Sequence, residues 1–127
     1  RESLDPFLNT SLMSYLKFFS KTITYEDVCN HKPSPDAYNL AVQLSGKSHL
    51  NCLAIEDSRI GVEAAILANI NCLLTLPTWS SSFQNITKRA NACVDSLGNN
   101  NNYSKLIYGK PLINKNVDFA YLKNIIN

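Results

Sequence analysis

Three side chains in this sequence have the types and spacing to act on an anion or a metal. Lys32 lies in the stretch Asn-His-Lys-Pro-Ser-Pro-Asp-Ala-Tyr, residues 30–38. Glu56 and Asp57 close an apolar run and lead straight into Ser-Arg-Ile-Gly-Val-Glu-Ala-Ala, residues 58–65. Two neighbouring carboxylates repel each other, and one tends to hold a proton unless a cation intervenes. Mg²⁺ suits such a pair, because it takes one or two carboxylates and fills its other positions with water and phosphate oxygens. A second reading is open: the pair supplies negative charge at the start of the following helix, where it is favourable. Lys32 precedes Pro33, which favours an extended backbone at the lysine. A lysine held by so stiff a turn suits a phosphate as a point charge; the competing reading is a solvated surface lysine. His31 and His49 read as loop residues and carry no assigned role.

The elements that must position these groups alternate between helix and strand. Asp5-Pro6 reads as a helix start, followed by Leu8, Leu12, Leu16 and Phe19 at helical spacing. Residues 21–25 (Lys-Thr-Ile-Thr-Tyr) are short and β-rich and predict a strand. Ser34-Pro35 opens a second helix, with an apolar face of Ala37, Tyr38, Ala41, Val42 and Leu44 and a stop at Gly46. Residues 52–55 form a continuous apolar run, the mark of a strand buried on both faces. Ser58 caps a third helix, whose Gly61, Ala64, Ala65 and Ala68 let it lie close against a sheet. Asn69 stands where that helix should end, in a left-handed conformation.

Residues 72–76 predict another buried strand, closed by Pro77. A weak helix over residues 82–90, a strand over 92–94 and an asparagine-rich turn over 99–102 follow. Val117, Tyr121, Leu122, Ile125 and Ile126 predict a terminal helix. Strands separated by helices in this way predict a Rossmann-like α/β fold, a parallel sheet with helices on both faces. In open sheets of that kind, ligands bind beyond the carboxyl ends of the strands, and Glu56-Asp57 sits at such an end.

With 127 residues the chain forms one domain at most, and an apolar share of 45% supports a modest core. The formal charge of +2 gives no broad field to recruit nucleic acid or an anionic membrane, so neither is an expected partner. No stretch approaches the roughly 20 apolar residues of a membrane span. Cys29, Cys52, Cys72 and Cys93 show no Cys-x-x-Cys spacing and read as reduced thiols. The expected compartment is the cytoplasm, with an organelle stroma as the alternative. The Asn-x-Ser/Thr matches at Asn9, Asn85 and Asn102 are attributed to the richness in asparagine.

The segments Lys-Pro-Ser-Pro-Asp-Ala-Tyr (32–38) and Ile-Glu-Asp-Ser-Arg-Ile-Gly-Val-Glu-Ala-Ala (55–65), in that order, resemble the haloacid dehalogenase superfamily. The likeness is strongest to its CbbY-like sugar-phosphate phosphatases and phosphomutases, and it runs from about Tyr25 to Pro77, weakening toward the end of the chain. A two-component receiver domain also has a parallel sheet, an acidic pair and a Lys-Pro, but there the Lys-Pro comes last. The resemblance implies Mg²⁺-dependent phosphoryl transfer from a small phosphorylated metabolite. Lys32 would neutralise the substrate phosphate and orient an attacking aspartate; Asp57 and Glu56 would complete the metal site. Ser58 would support it as a helix cap and Gly61 as a packing residue.

The family's nucleophile is the first aspartate of an Asp-x-Asp motif, and none occurs in the 127 residues. The expectation is that residues 1–127 are the C-terminal portion of a hydrolase core domain of this family. The fold would then be incomplete, lacking the N-terminal strands and the substrate-choosing cap, with the missing half needed to complete the sheet. The chain alone is expected to be inactive and marginally stable. The alternative expectation is a non-catalytic remnant or half-domain, acting as a metal- or phosphate-binding module or a partner domain.

Overall fold

Gly46 ends the first described helix as its position requires. Helix α1 (Asp36–Ser45) follows Pro35, whose φ of −77° suits a helix start, and it closes at Gly46 with φ 65°, where the Gly46 N–H reaches Gln43 O. Any residue with a Cβ is strained in that left-handed conformation. The computed structural model describes residues 17–76 and 84–127. The further elements are strand β1 (Leu53–Glu56), helix α2 (Arg59–Leu67), strand β2 (Asn71–Thr75), helix α3 (Gln84–Thr87), strand β3 (Ala92–Val94), strand β4 (Leu106–Tyr108) and helix α4 (Phe119–Ile126). Single 3₁₀ turns form at Tyr25–Asp27 and His49–Asn51.

The strands lie in the order β1-β2-β3-β4. β1 and β2 are parallel, with Ala54 opposite Cys72 and Glu56 opposite Leu74. β2 and β3 are also parallel, while β3 and β4 are antiparallel with an irregularity at Cys93/Val94. Alternate side chains of β2 enter opposite cores, as the pleat demands. Cys72 and Leu74 pack with Val42 of α1, Val62 and Ala65 of α2, and Ile86 and Ala90. Leu73 packs on the other face with Val94, Tyr121 and Ile125. Helices therefore cover both faces of an open, mostly parallel sheet, which is an incomplete Rossmann-like α/β architecture.

Helix α2 links β1 to β2 and decides how near the sheet the site can lie. Gly61, Val62, Ala64 and Ala65 are all buried along it. Its end is closed twice, by Asn69 N–H on Ile66 O and Ile70 N–H on Ala65 O, with Asn69 left-handed at φ 55°. Among the described residues no helix is long and apolar enough to cross a membrane.

Several expectations are corrected. Residues 21–24 take no place in a sheet, and Tyr25–Asp27 turns into a 3₁₀ helix capped by Thr24, which bonds the Asp27 carboxylate through its N–H and hydroxyl. β-propensity needs a pairing strand to act on, and among the described residues none lies beside it. The strand expected over 52–55 runs one residue later and is not buried on both faces: Ile55 is 47% exposed, because β1 is the sheet's edge. β4 was not expected, and it makes the sheet mixed. The expected first helix lies almost entirely outside the described residues, and Pro77 lies outside them too.

All four cysteines are free thiols, with Cys72 and Cys93 buried. Burial pushes Cys72 from an ordinary 9.0 up to about 12 and Cys93 up to about 11. Native-state iodoacetamide should therefore label Cys29, which is exposed, and spare Cys72 and Cys93 until denaturant is added. Both buried thiols ionise more readily in the unfolded chain. Their contribution to stability is thus intact below pH 9.0 and should be lost as the pH rises through about 12, as urea midpoints would read. Leu73 is fully buried in the core beneath α4, and Leu73→Ala should cost about 2–5 kcal/mol of unfolding free energy in the same titration.

Candidate active site at the end of strand β1

Glu56 is the last residue of β1, and its carboxylate is 93% removed from solvent, with 7% relative exposure. A buried carboxylate must be paired and hydrogen-bonded to stay charged. Three groups meet that demand. The Lys32 ammonium and the Tyr38 hydroxyl both donate to Glu56 Oε1, and Ser58 Oγ donates to Oε2 at 3.3 Å. A carboxylate offers about four acceptor positions, so few remain. The backbone is fixed as well, because Thr75 Oγ1 donates to Glu56 O at 3.2 Å across the β1–β2 pair.

The carboxylate lies against the first turn of α2, and only glycine permits that. A Cβ built on Gly61 would sit 1.7 Å from Glu56 Oε2 and 2.2 Å from its Cδ. Ser58, the N-cap, accepts the Gly61 N–H at 3.1 Å while donating to Glu56. One hydroxyl thus ends the helix and holds the carboxylate. Gly61 packs, as expected, but what it makes room for is Glu56.

Lys32 arrives on a turn that Asp36 organises. The Asp36 carboxylate accepts from Ser34 Oγ at 2.7 Å and from Asn30 through its N–H at 3.2 Å and Nδ2 at 3.0 Å. These bonds, Ser34 first and then Asn30, hold its carboxyl below the usual carboxylate range. Ser34 N–H also closes on His31 O at 2.9 Å, and the Lys32–Pro33 peptide is cis. The ammonium stands 5.2 Å from the centre of the Tyr38 ring, within cation–π reach. Burial, then the bond to Glu56, raises the Tyr38 phenol above its ordinary range.

Asp57 contrasts with its neighbour. It is exposed and makes no hydrogen bond or ion pair among the described residues. The structure therefore brings Lys32, Glu56, Ser58 and Gly61 together in one contact network and leaves Asp57 open to solvent beside it. His31 stacks on Tyr25 with ring centroids 3.4 Å apart, and His49 Nδ1 lies 2.7 Å from Ala68 O. Sequence reasoning missed Tyr38, read as part of an apolar helix face, and the organising Asn30 and Asp36. The signal for Tyr38 was its polar tip on an otherwise apolar face.

Among the described residues no three or more His, Cys, Asp or Glu side chains converge on a metal position. The donor set still fits Mg²⁺, which needs only one or two carboxylates and keeps water and phosphate oxygens elsewhere. Asp57 is the carboxylate with open positions, and Glu56 adjoins it.

Comparison with known proteins follows the same residues. The family pattern described as haloacid dehalogenase-like hydrolase matches residues 1–75. The chain is 43% identical over 60 residues to a haloacid dehalogenase-like hydrolase domain-containing protein of Arabidopsis thaliana, covering 47% of this chain and 19% of that protein. It is 36% identical over 69 residues to a CBBY-like protein of the same plant, covering 53% and 20%. Against the fructose-1-phosphate phosphatase YqaB of Escherichia coli (strain K12) it is 30% identical over 56 residues, covering 44% and 30%. The matched segments thus span less than a third of each relative's length.

Gly61→Ala tests the packing of this network. The new methyl must displace the Glu56 carboxylate, so unfolding free energy should fall by about 1–3 kcal/mol in urea titration. A value indistinguishable from wild type would mean that Glu56 does not occupy this position in solution.

Proposed function

Because the chain belongs to the haloacid dehalogenase-like hydrolase family, we propose that it carries the lysine and carboxylate part of a phosphatase site for small phosphorylated metabolites, sugar phosphates first among them. One observation carries the reading: Lys32, far from the acidic pair in sequence, is brought onto Glu56 at the carboxyl end of β1, with Asp57 open to solvent next to it. The relative named as a fructose-1-phosphate phosphatase supports the substrate class.

Charge arithmetic supports a divalent cation. Lys32 contributes one positive charge and Glu56 and Asp57 one negative charge each, so these groups alone disfavour a dianionic phosphate. Mg²⁺, held first by the open oxygens of Asp57 and then by the acceptor positions that Glu56 keeps, would reverse that sign and neutralise charge on the phosphoryl oxygens. Lys32 binds the phosphate as a point charge with a side chain still 38% exposed. Glu56 holds the ammonium in place, and Ser58 holds Glu56. The attacking aspartate would be supplied by a strand added beside β1, which has no outer neighbour among the described residues, in line with the aspartyl-phosphate chemistry that the family resemblance implies. Reduced thiols fit a reducing compartment, the cytoplasm or an organelle stroma.

A second reading rests on the absence of Asp-x-Asp from the 127 residues. On that reading the site binds phosphate and metal without turnover. The two separate in an assay of phosphate release from a sugar-phosphate panel with Mg²⁺, using the complete protein. On the phosphatase reading Asp57→Asn should lower turnover by roughly 10²–10³-fold and leave the melting temperature unchanged, as suits an exposed side chain. Chelation of Mg²⁺ should abolish release. A rate unaffected by Asp57→Asn would remove Asp57 from the site, and no release from any substrate would favour the binding module.

A further inference from the structure

We propose that Tyr38 is the positioning residue for Lys32, acting on the ammonium directly through its ring and indirectly through the hydroxyl that anchors Glu56. Its consequence for phosphate binding rests on the function proposed above; the positioning itself does not.

Among the described residues, Tyr38 alone joins both members of the Lys32–Glu56 pair by a hydrogen bond or a cation–π contact. Its hydroxyl donates to the same oxygen, Oε1, that receives Lys32. The remaining side-chain anchor of the carboxylate is Ser58 Oγ, at a long 3.3 Å and on the other oxygen. Without the phenol, Glu56 keeps one weak fixed donor besides the lysine it is meant to hold, so its carboxylate is free to turn. The ring acts separately. Its face lies 5.2 Å from Nζ, and the attraction of a cation to a ring strengthens as water is excluded. Two forces of different origin thus converge on one flexible side chain from one residue of α1. A lysine side chain is rich in rotamers, and a phosphate binder that is already confined loses less of that freedom on binding. The role asks for a polar tip and an aromatic face together, which tyrosine supplies and phenylalanine or leucine does not.

The experiment is competitive labelling of lysines with trace acetic anhydride on the complete protein, read by mass spectrometry, in wild type, Tyr38→Phe and Tyr38→Leu. Lys47, just beyond the end of α1, is the internal reference, because a general loosening of the helix raises both lysines. Loss of the hydroxyl should raise Lys32 labelling relative to Lys47 by about two- to fivefold. Tyr38→Leu, which also removes the ring, should raise it further. Equal Lys32-to-Lys47 ratios in all three proteins would overturn the proposal. Should Tyr38→Leu fail to fold, Tyr38→Phe decides alone, since it keeps the ring and the packing. A parallel wild-type series with inorganic phosphate and Mg²⁺ separates the two claims. Protection of Lys32 supports its phosphate role. Unprotected Lys32 with an altered ratio in Tyr38→Phe overturns that role and upholds the positioning.

Discussion

The burial of one carboxylate governs the structure around it. Glu56 sits at the end of an edge strand with almost no access to water, and an unpaired charge there would cost more than a small domain can bear. The surroundings are arranged to meet that cost. A lysine comes from a proline-bounded turn, a phenol from α1 and a hydroxyl from the cap of α2. A glycine opens the space in which the carboxylate lies. Four segments of chain are thereby tied to one point. A buried ion pair is weak evidence for added stability; what it secures here is the relative position of α1, β1 and α2.

Adjacent residues meet opposite fates at this point. Glu56 completes β1 and turns inward, while Asp57 has left the strand and faces solvent. Three donors hold Glu56 inward, and Asp57, in the turn that leads into α2, has none among the described residues. The difference divides the labour: the inward carboxylate shapes the cationic group, and the outward one keeps its oxygens open. A pair that looks redundant in sequence is two different groups in space.

Much of this was readable from local signals. Gly46, Ser58 and Asn69 each mark a helix end by a property of the residue itself, a free φ, a capping hydroxyl or tolerance of the left-handed region, and each does so in the structure. The parallel core, with its small-residue helix, followed from apolar runs and spacing. Residues 21–25 and Leu106–Tyr108 misled for one shared reason: strand formation depends on a partner distant in sequence. The first has β-rich residues without a partner among the described residues, and the second pairs with β3 despite its brevity. Tyr38 escaped because periodicity counts a tyrosine as apolar area and says nothing about where its hydroxyl ends.

The two edges of the sheet are not equivalent. At one side β4 is three residues long, antiparallel and joined through an irregular register at Cys93/Val94, features that discourage further pairing. At the other, β1 has no neighbouring strand among the described residues, and it terminates at Glu56. Any strand that extends the sheet at β1 therefore ends its hydrogen bonds beside Lys32 and Asp57. On the proposed function, strand addition and ligand capture share a location, and if one alters the affinity of the other, thermodynamic linkage makes the effect reciprocal and equal in factor.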